Sequence, residues 1–159
     1  MKLNDIKLRL EVLSILFSEH SIGGRPSVIG YDKKFKWRWF ATQLNTFLVA
    51  IDFGNEPVNV PAIDAALAES FSYAQKHYNG WPRGLQSGLG VITFLLSSHL
   101  DAAAIDYCEN LKAGKKWAGF AVPVVIHSDS GQVHAFQRNP LWGRIYYPYF
   151  KQLIHKTTS

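Results

Sequence analysis

Residues 120–136 constrain the fold of this chain more than any other segment. An apolar run, FAVPVVIH, is followed by the turn sequence SDSG at 128–131 and by a second run in which apolar and polar residues alternate. Two such runs joined by a short turn with glycine are typical of a β-hairpin. The aromatic segment RNPLWGRIYYPYF follows and predicts a helix or lid that packs on the same sheet. This feature indicates an architecture and no particular chemistry.

The composition is that of one globular domain. The chain has 159 residues, of which 47% are hydrophobic and 18% are charged, so it can bury a substantial core but is short for two domains. Its single cysteine excludes a disulfide framework within the chain. Residues 1–20 lack a secretory pattern and no apolar run has the length of a membrane span, so a soluble cytoplasmic protein is expected.

The chain is basic, with a formal net charge of +5 and an isoelectric point near 9.4. The densest basic stretch is KKFKWR at residues 33–38. Such a charge is compatible with nucleic acid, an anionic ligand or an acidic partner, and also with a solvated basic surface. Because the stretch is shorter than a nucleic-acid-binding tail, the solvated surface is preferred and nucleic acid is kept as the alternative.

Periodicity predicts ten elements in the order α-β-β-β-α-β-α-β-β-α. A helix is expected at 4–19, since apolar residues recur at helical spacing from Ile6 to Phe17. Asn59 is expected to cap the second helix. Three strands are expected after the first helix, at 27–31, 35–42 and 46–53, with a turn at Leu44-Asn45. A helix at 60–78, a strand at 89–97 and a helix at 101–112 are expected next. The hairpin strands and a C-terminal helix complete the chain. This alternation predicts a single α/β (α+β) domain over residues 1–159, with a mixed sheet of five or six strands covered by helices.

The order of the first six elements resembles the core of the restriction-endonuclease-like superfamily, a helix, a three-stranded meander, a helix and a strand. Residues 4–97 would supply this core, and GVITFLLSSHLDAAAIDYCENL is similar to the strand and helix often seen after it. The resemblance implies an acid in the meander and an acid-x-Lys triplet on the next strand. The triplet position has the sequence AIDFG at 50–54, with no lysine two residues after Asp52. The resemblance therefore implies a fold without implying nuclease chemistry.

The loop at residues 80–90, GWPRGLQSGLG, is the leading candidate for a binding site. Its glycines would let backbone N–H groups approach an anion, and Arg83 would add a guanidinium. The spacing fits neither a P-loop, nor a dinucleotide fingerprint, nor a nucleophile elbow. A tight connection between a helix and a strand is the competing interpretation. The loop residues expected to bind a ligand are Trp81, Arg83, Gln86 and Ser87.

The aromatic C-terminal segment supplies the second half of the predicted site. Trp142 and Arg144 repeat the combination of an indole and a guanidinium found in the loop. Because ligands collect at strand ends in open α/β folds, the 80–90 loop and the 138–147 segment are predicted to face one cleft. An anionic ligand or an acidic partner surface is its expected occupant. In the competing interpretation the tryptophans pack on the core and the arginines pair on the surface.

The remaining chemical groups have weaker sequence support. Asp52 ends an apolar strand, where acids often function, but no partner acid is identifiable. His127, Asp129 and His134 are close in sequence, yet two partly exposed hairpin histidines are preferred to a metal site. Cys108 has the spacing of a buried helical residue and is expected to be a core thiol. No cofactor and no metal are predicted.

These observations favour a non-catalytic domain that binds a partner or assembles with itself. The aromatic C-terminus without a catalytic constellation motivates this prediction, and a homodimer through residues 138–150 is expected. The alternative is a degenerate nuclease-like or other anion-binding enzyme domain that uses Asp52 and the 83–90 loop. Whether the protein is an enzyme stays open at this point.

Overall fold

A computed structural model describes residues 1–36, 42–80, 87–111, 119–140 and 144–159, with only the backbone described for residues 42 and 87. These residues form four helices and six strands in the predicted order. The elements are α1 (Leu3–Val12), β1 (Leu16–Ile22), β2 (Arg25–Lys36), β3 (Thr42–Gly54), α2 (Val60–His77), β4 (Ser87–Ser97), α3 (Ala102–Glu109), β5 (Phe120–His127), β6 (Val133–His134) and α4 (Tyr147–Thr158). The predicted single α/β domain with a mixed sheet is confirmed.

The six strands make one sheet in the order β1-β2-β3-β4-β5-β6. β1, β2 and β3 form an antiparallel meander, β3, β4 and β5 are parallel, and β6 returns antiparallel to β5. Parallel neighbours need a long connection, which α2 provides after β3 and α3 provides after β4. Every residue of the apolar run 120–126 is buried, as expected for a strand covered on both faces.

Two helices cover each face of the sheet and create two separate cores. α2 and α3 pack on the face that carries Phe47 and Val91. α1 and α4 pack on the opposite face, which carries Phe94 and Val122. The result is a three-layer structure with the sheet in the middle.

The first helix is shorter than predicted, and the end of its predicted range belongs to a strand. α1 ends at Val12, Ser14 adopts a φ of 57°, and β1 starts at Leu16. Phe17 therefore lies in β1, on the side of α2, whereas Ile6 belongs to the core under α1 and α4. The prediction over 4–19 was wrong beyond residue 12 because a helical spacing of apolar residues continues by coincidence across a turn.

The meander also has different boundaries from those predicted. β2 combines the strand expected at 27–31 with the beginning of the one expected at 35–42, and Leu44-Asn45 lies inside β3 and not in a turn. The extra strand is β1, which joins β2 through Gly23 and Gly24, with φ values of 58° and 75°. Positive φ at both positions is typical of a tight two-residue hairpin turn, and glycine adopts it without strain.

Candidate functional site

Most of the cleft predicted from the sequence lies outside the described residues. Trp81, Arg83, Gln86 and Trp142 fall in the segments 81–86 and 141–143, and Ser87 is described only as the first backbone position of β4. Arg144 lies within the described part and is exposed. The convergence of Arg83 and Arg144 on one cleft therefore stays a prediction.

The described ends of the two segments are linked only through Phe120. Gly90 pairs in register with Phe120, whose ring centroid is 5.1 Å from that of Tyr146. A Cβ at Gly90 would stand only 2.9 Å from Cε1 of Phe150. The close approach of an α4 ring to the β4 backbone therefore accounts for glycine at position 90, and no bound anion is needed to explain it.

The C-terminal aromatic rings belong mainly to the core. Tyr147, Tyr149 and Phe150 are buried between α4 and the sheet. The Tyr149 hydroxyl donates a hydrogen bond to Asp32. Burial is the main cause that raises the pKa of Tyr149 above its usual range, and the hydrogen bond to Asp32 raises it further. Ile145 remains 41% exposed. These rings therefore contribute less to an outer surface than the sequence predicted.

The other candidate groups have structural partners. Asp52 lies two residues before the end of β3, where its Oδ1 accepts the Gly54 N–H at 2.9 Å, and its catalytic role stays a prediction. Nδ1 of His134 lies 2.9 Å from Oε1 of Glu109, and no group of three His, Cys, Asp or Glu that could hold a metal is found in the described ranges. Cys108 is fully buried, as predicted, and burial raises the pKa of its thiol to about 12.

The sequence did not indicate the groove between β1 and the outer side of α2. Its volume is about 290 Å³. β1 contributes His20 and Ser21 to its walls, and α2 contributes Glu69, Tyr73 and Lys76. Tyr73 fixes the floor, because its hydroxyl shares a 2.8 Å hydrogen bond with Ser18 Oγ and its ring lies 5.0 Å from that of His20. The groove therefore lies between two elements whose relative position is fixed by side-chain contacts.

β1 is the outermost strand on its side of the sheet, and none of the described residues pairs with its outer edge. The tight turn makes Ile22 and Arg25 the closing pair of the hairpin. Hydrogen-bonded pairs alternate from there, so the backbone groups of His20 point at β2 and those of Glu19 and Ser21 point away from the sheet. Outward N–H and C=O groups of this kind are a template for another strand.

Phe17 lies beside this edge. It occupies an irregularity between Leu16 and Ser18, where β1 has one residue more than β2. Its ring packs edge-on against Tyr31 and Phe47, at centroid distances of 5.8 and 6.0 Å, yet 44% of the residue is exposed. Single exposed apolar residues are common on protein surfaces, so Phe17 indicates a binding surface only because it lies beside an open strand edge. The groove, the outer edge of β1 and Phe17 are together called the β1–α2 surface below.

The charges of the β1–α2 surface are arranged along α2. Glu69 and Lys76 both face the groove and lie about two helical turns apart. Neither forms an ion pair with any residue in the described ranges. Glu19, in contrast, pairs with Lys7 at 2.6 Å, and this hydrogen bond raises the pKa of Lys7. The groove therefore offers an acid toward one end, close to the Arg25 guanidinium, and a base toward the other.

This surface was not predicted from the sequence, because the helical spacing of apolar residues through Phe17 indicated a helix where β1 lies. One signal was available: Gly23 and Gly24 are two consecutive glycines between residues able to form strands, which is the pattern of a two-residue hairpin.

No protein-family model, no curated protein and no solved structure matches this chain. None of its described helices is long and apolar enough to cross a membrane. The resemblance to the restriction-endonuclease-like superfamily thus stays a prediction, and the function has to be argued from the geometry of the β1–α2 surface.

Proposed function

We propose that this protein is an assembly domain that works by adding a strand of another polypeptide to the outer edge of β1. The observation that supports it most directly is Phe17, an aromatic side chain 44% exposed beside a strand edge with outward backbone groups. Strand addition is a common mode of polypeptide recognition, in which backbone hydrogen bonds give affinity and neighbouring side chains give specificity.

The contacts at this edge support a modest affinity. Glu19 and Ser21 each offer one N–H and one C=O, and each hydrogen bond contributes about 0.5–1.5 kcal/mol net. Burying the remaining exposed part of Phe17 adds about 1 kcal/mol, roughly half the value for full burial of such a side chain. Because association also costs rotational and translational freedom, assembly should depend on protein concentration.

Proline at position 21 tests this proposal. Ser21→Pro removes an N–H that points away from β2, so the ladder between β1 and β2 is kept while the outer edge is blocked. Ser21→Thr is the matched control, because it keeps the N–H and favours the strand. Light scattering during size exclusion measures the mass over a range of concentrations.

The wild type and Ser21→Thr are expected to exceed the 17.9 kDa of the monomer as concentration rises, whereas Ser21→Pro stays at that mass with an unchanged circular dichroism spectrum. A wild type that stays at the monomer mass at millimolar concentration would contradict self-assembly. Equal assembly of wild type and Ser21→Pro would exclude the β1 edge.

A degenerate nuclease-like or other anion-binding enzyme is the second candidate. It is favoured by the order of α1 to β4, which is the helix, meander, helix and strand expected from the resemblance. Incubation of DNA and RNA with the protein and magnesium or manganese tests it. Cleavage by the wild type that disappears in Asp52→Ala would support this candidate, and no cleavage would count against it.

A further inference from the structure

We infer that the strand added to β1 is β1 of a second copy, and that the two copies are related by a two-fold axis passing beside His20 and Tyr73. This inference rests on the proposed function and adds the partner, the stoichiometry and the register. Three features of the β1–α2 surface carry it: the backbone pattern of β1, the course of α2 beside it, and the placement of Glu69 and Lys76 on α2.

The backbone pattern favours one register. Only residues whose groups point outward, chiefly Glu19 and Ser21, can form hydrogen-bonded pairs with a second β1. Pairing Glu19 with Glu19 of the second copy would set Ser21 opposite the irregularity at Phe17, and it would bring together two carboxylates that are each already paired with Lys7. Pairing Ser21 with itself would place Glu19 opposite the turn at Gly23, where the strand has ended. Pairing Glu19 with Ser21 of the second copy uses both residues of both chains and puts the two His20 residues at the centre.

α2 follows β1 along its length, so the same axis also relates the two α2 helices. Ile22 lies with Ala62 and Ala66 at one end of the contact, and Phe17 meets His77 at the other, with ring centroids 6.3 Å apart. His20 and Tyr73 meet between them, with centroids 5.0 Å apart. The centre of the β1 pairing thus coincides with the part of α2 around Tyr73.

The charges on α2 are symmetric about that same point. Glu69 and Lys76 lie at equal sequence distance on either side of the peptide bond between Ser72 and Tyr73. A two-fold axis perpendicular to the sheet makes the two α2 helices antiparallel and brings Glu69 of each copy opposite Lys76 of the other. A symmetric dimer requires a patch that is complementary to itself, and this patch meets that requirement in charge and in backbone pairing.

Charge reversal tests the inference without relying on any single variant. Glu69→Lys and Lys76→Glu each turn two attractive contacts into two repulsive ones, so each variant alone should dimerise about tenfold to thirtyfold more weakly at low salt. An equimolar mixture of the two should form a mixed dimer with wild-type affinity, because every contact across the axis is then between opposite charges. Gln75→Lys, at an exposed α2 position outside the groove, is the matched control.

Sedimentation velocity with one variant fluorescently labelled measures all these species. Each variant alone should self-associate weakly, and the mixture should associate with wild-type affinity. High salt screens the charges, so the differences in affinity between the variants and the wild type should shrink. If Ser21→Pro abolishes assembly but the charge reversals have no effect, strand addition stands and the two-fold register is wrong. If Glu69→Lys and Lys76→Glu fail to associate in the mixture while the wild type dimerises, this inference is also overturned. If the wild type is a monomer throughout, the proposed function fails with it.

Discussion

Gly90→Ala should destabilise the fold through a single contact between β4 and α4. A Cβ at position 90 would lie 2.9 Å from Cε1 and 3.0 Å from Cζ of Phe150. Ordinary carbon contacts begin near roughly 3.5 Å, so the ring would have to retreat by about half an ångström. It has little space to do so, because it is fully buried and its centroid lies 5.4 Å from that of Phe120 and 5.7 Å from that of Tyr147.

The expected loss is the difference between two opposing effects. Overpacking a tight core costs about 1–3 kcal/mol. Replacing glycine by alanine also restricts the unfolded chain, which stabilises the fold by about 0.4–1 kcal/mol where the backbone is compatible, and Gly90 has no positive φ. We therefore expect Gly90→Ala to lower the free energy of unfolding by about 1–2 kcal/mol.

Urea unfolding followed by circular dichroism measures this change. Gly88→Ala is the matched control on the same strand, since its Cβ would meet only the flexible end of Leu44, at 3.2 Å. Phe150→Leu removes the two ring atoms that collide, so the double variant should lose at least about 1 kcal/mol less than the sum of the single variants. Additive losses, or a Gly90→Ala protein as stable as the wild type, would refute the explanation of this glycine.

Three further predictions follow from local contacts. Burial raises the pKa of Cys108 from about 9 to about 12, so its thiol stabilises the fold below pH 9 and this stability is lost as the pH rises toward 12. In urea unfolding from pH 8 to 10.5, the free energy of unfolding should fall more for the wild type than for Cys108→Ala, by up to about 2 kcal/mol at pH 10.5. Asn59→Ala should cost about 1 kcal/mol in thermal unfolding and Asn59→Asp much less, because Asn59 Oδ1 accepts the Ala62 N–H at 2.9 Å; equal losses would contradict the cap. Burial raises the pKa values of Tyr31, Tyr107, Tyr147 and Tyr149, so ultraviolet titration of the folded protein near pH 10.5 should show fewer ionised tyrosines than the unfolded chain does; identical titration curves would contradict their burial.

Features determined by neighbouring residues were predictable from the sequence. The run 120–126 is continuously apolar because both faces of β5 are covered, and this signal is contained in the run itself. Asn59 caps α2 through a residue only three positions away. The element order and the mixed sheet followed from many signals of this local kind.

Features determined by distant residues were not predictable in the same way. The chain after Val12 becomes a strand because β2 is available to pair with it, which a helical count of apolar residues does not register. Asn45 suggested a turn, but in β3 it is fully buried and its Oδ1 accepts a 2.7 Å hydrogen bond from the Tyr31 hydroxyl. Gly90 suggested a ligand-binding loop, but glycine is required at position 90 because the ring of Phe150, sixty residues later in the chain, packs against it. The β1–α2 surface depends on all such long-range pairings, since it exists only once β1 is at the edge.

The separation of the two cores has a consequence for synthesis on the ribosome. The layer of α2 and α3 can close over its face of the sheet as soon as β5 has emerged, since all its parts precede residue 128. The opposite face has α1 from the start but lacks α4, whose twelve residues follow all six strands. Until they emerge, Phe94 and Val122 have only part of their cover, and an open apolar sheet face is prone to aggregation. Emergence of α4, and not formation of the sheet, is therefore the step that covers the exposed apolar face of the nascent chain.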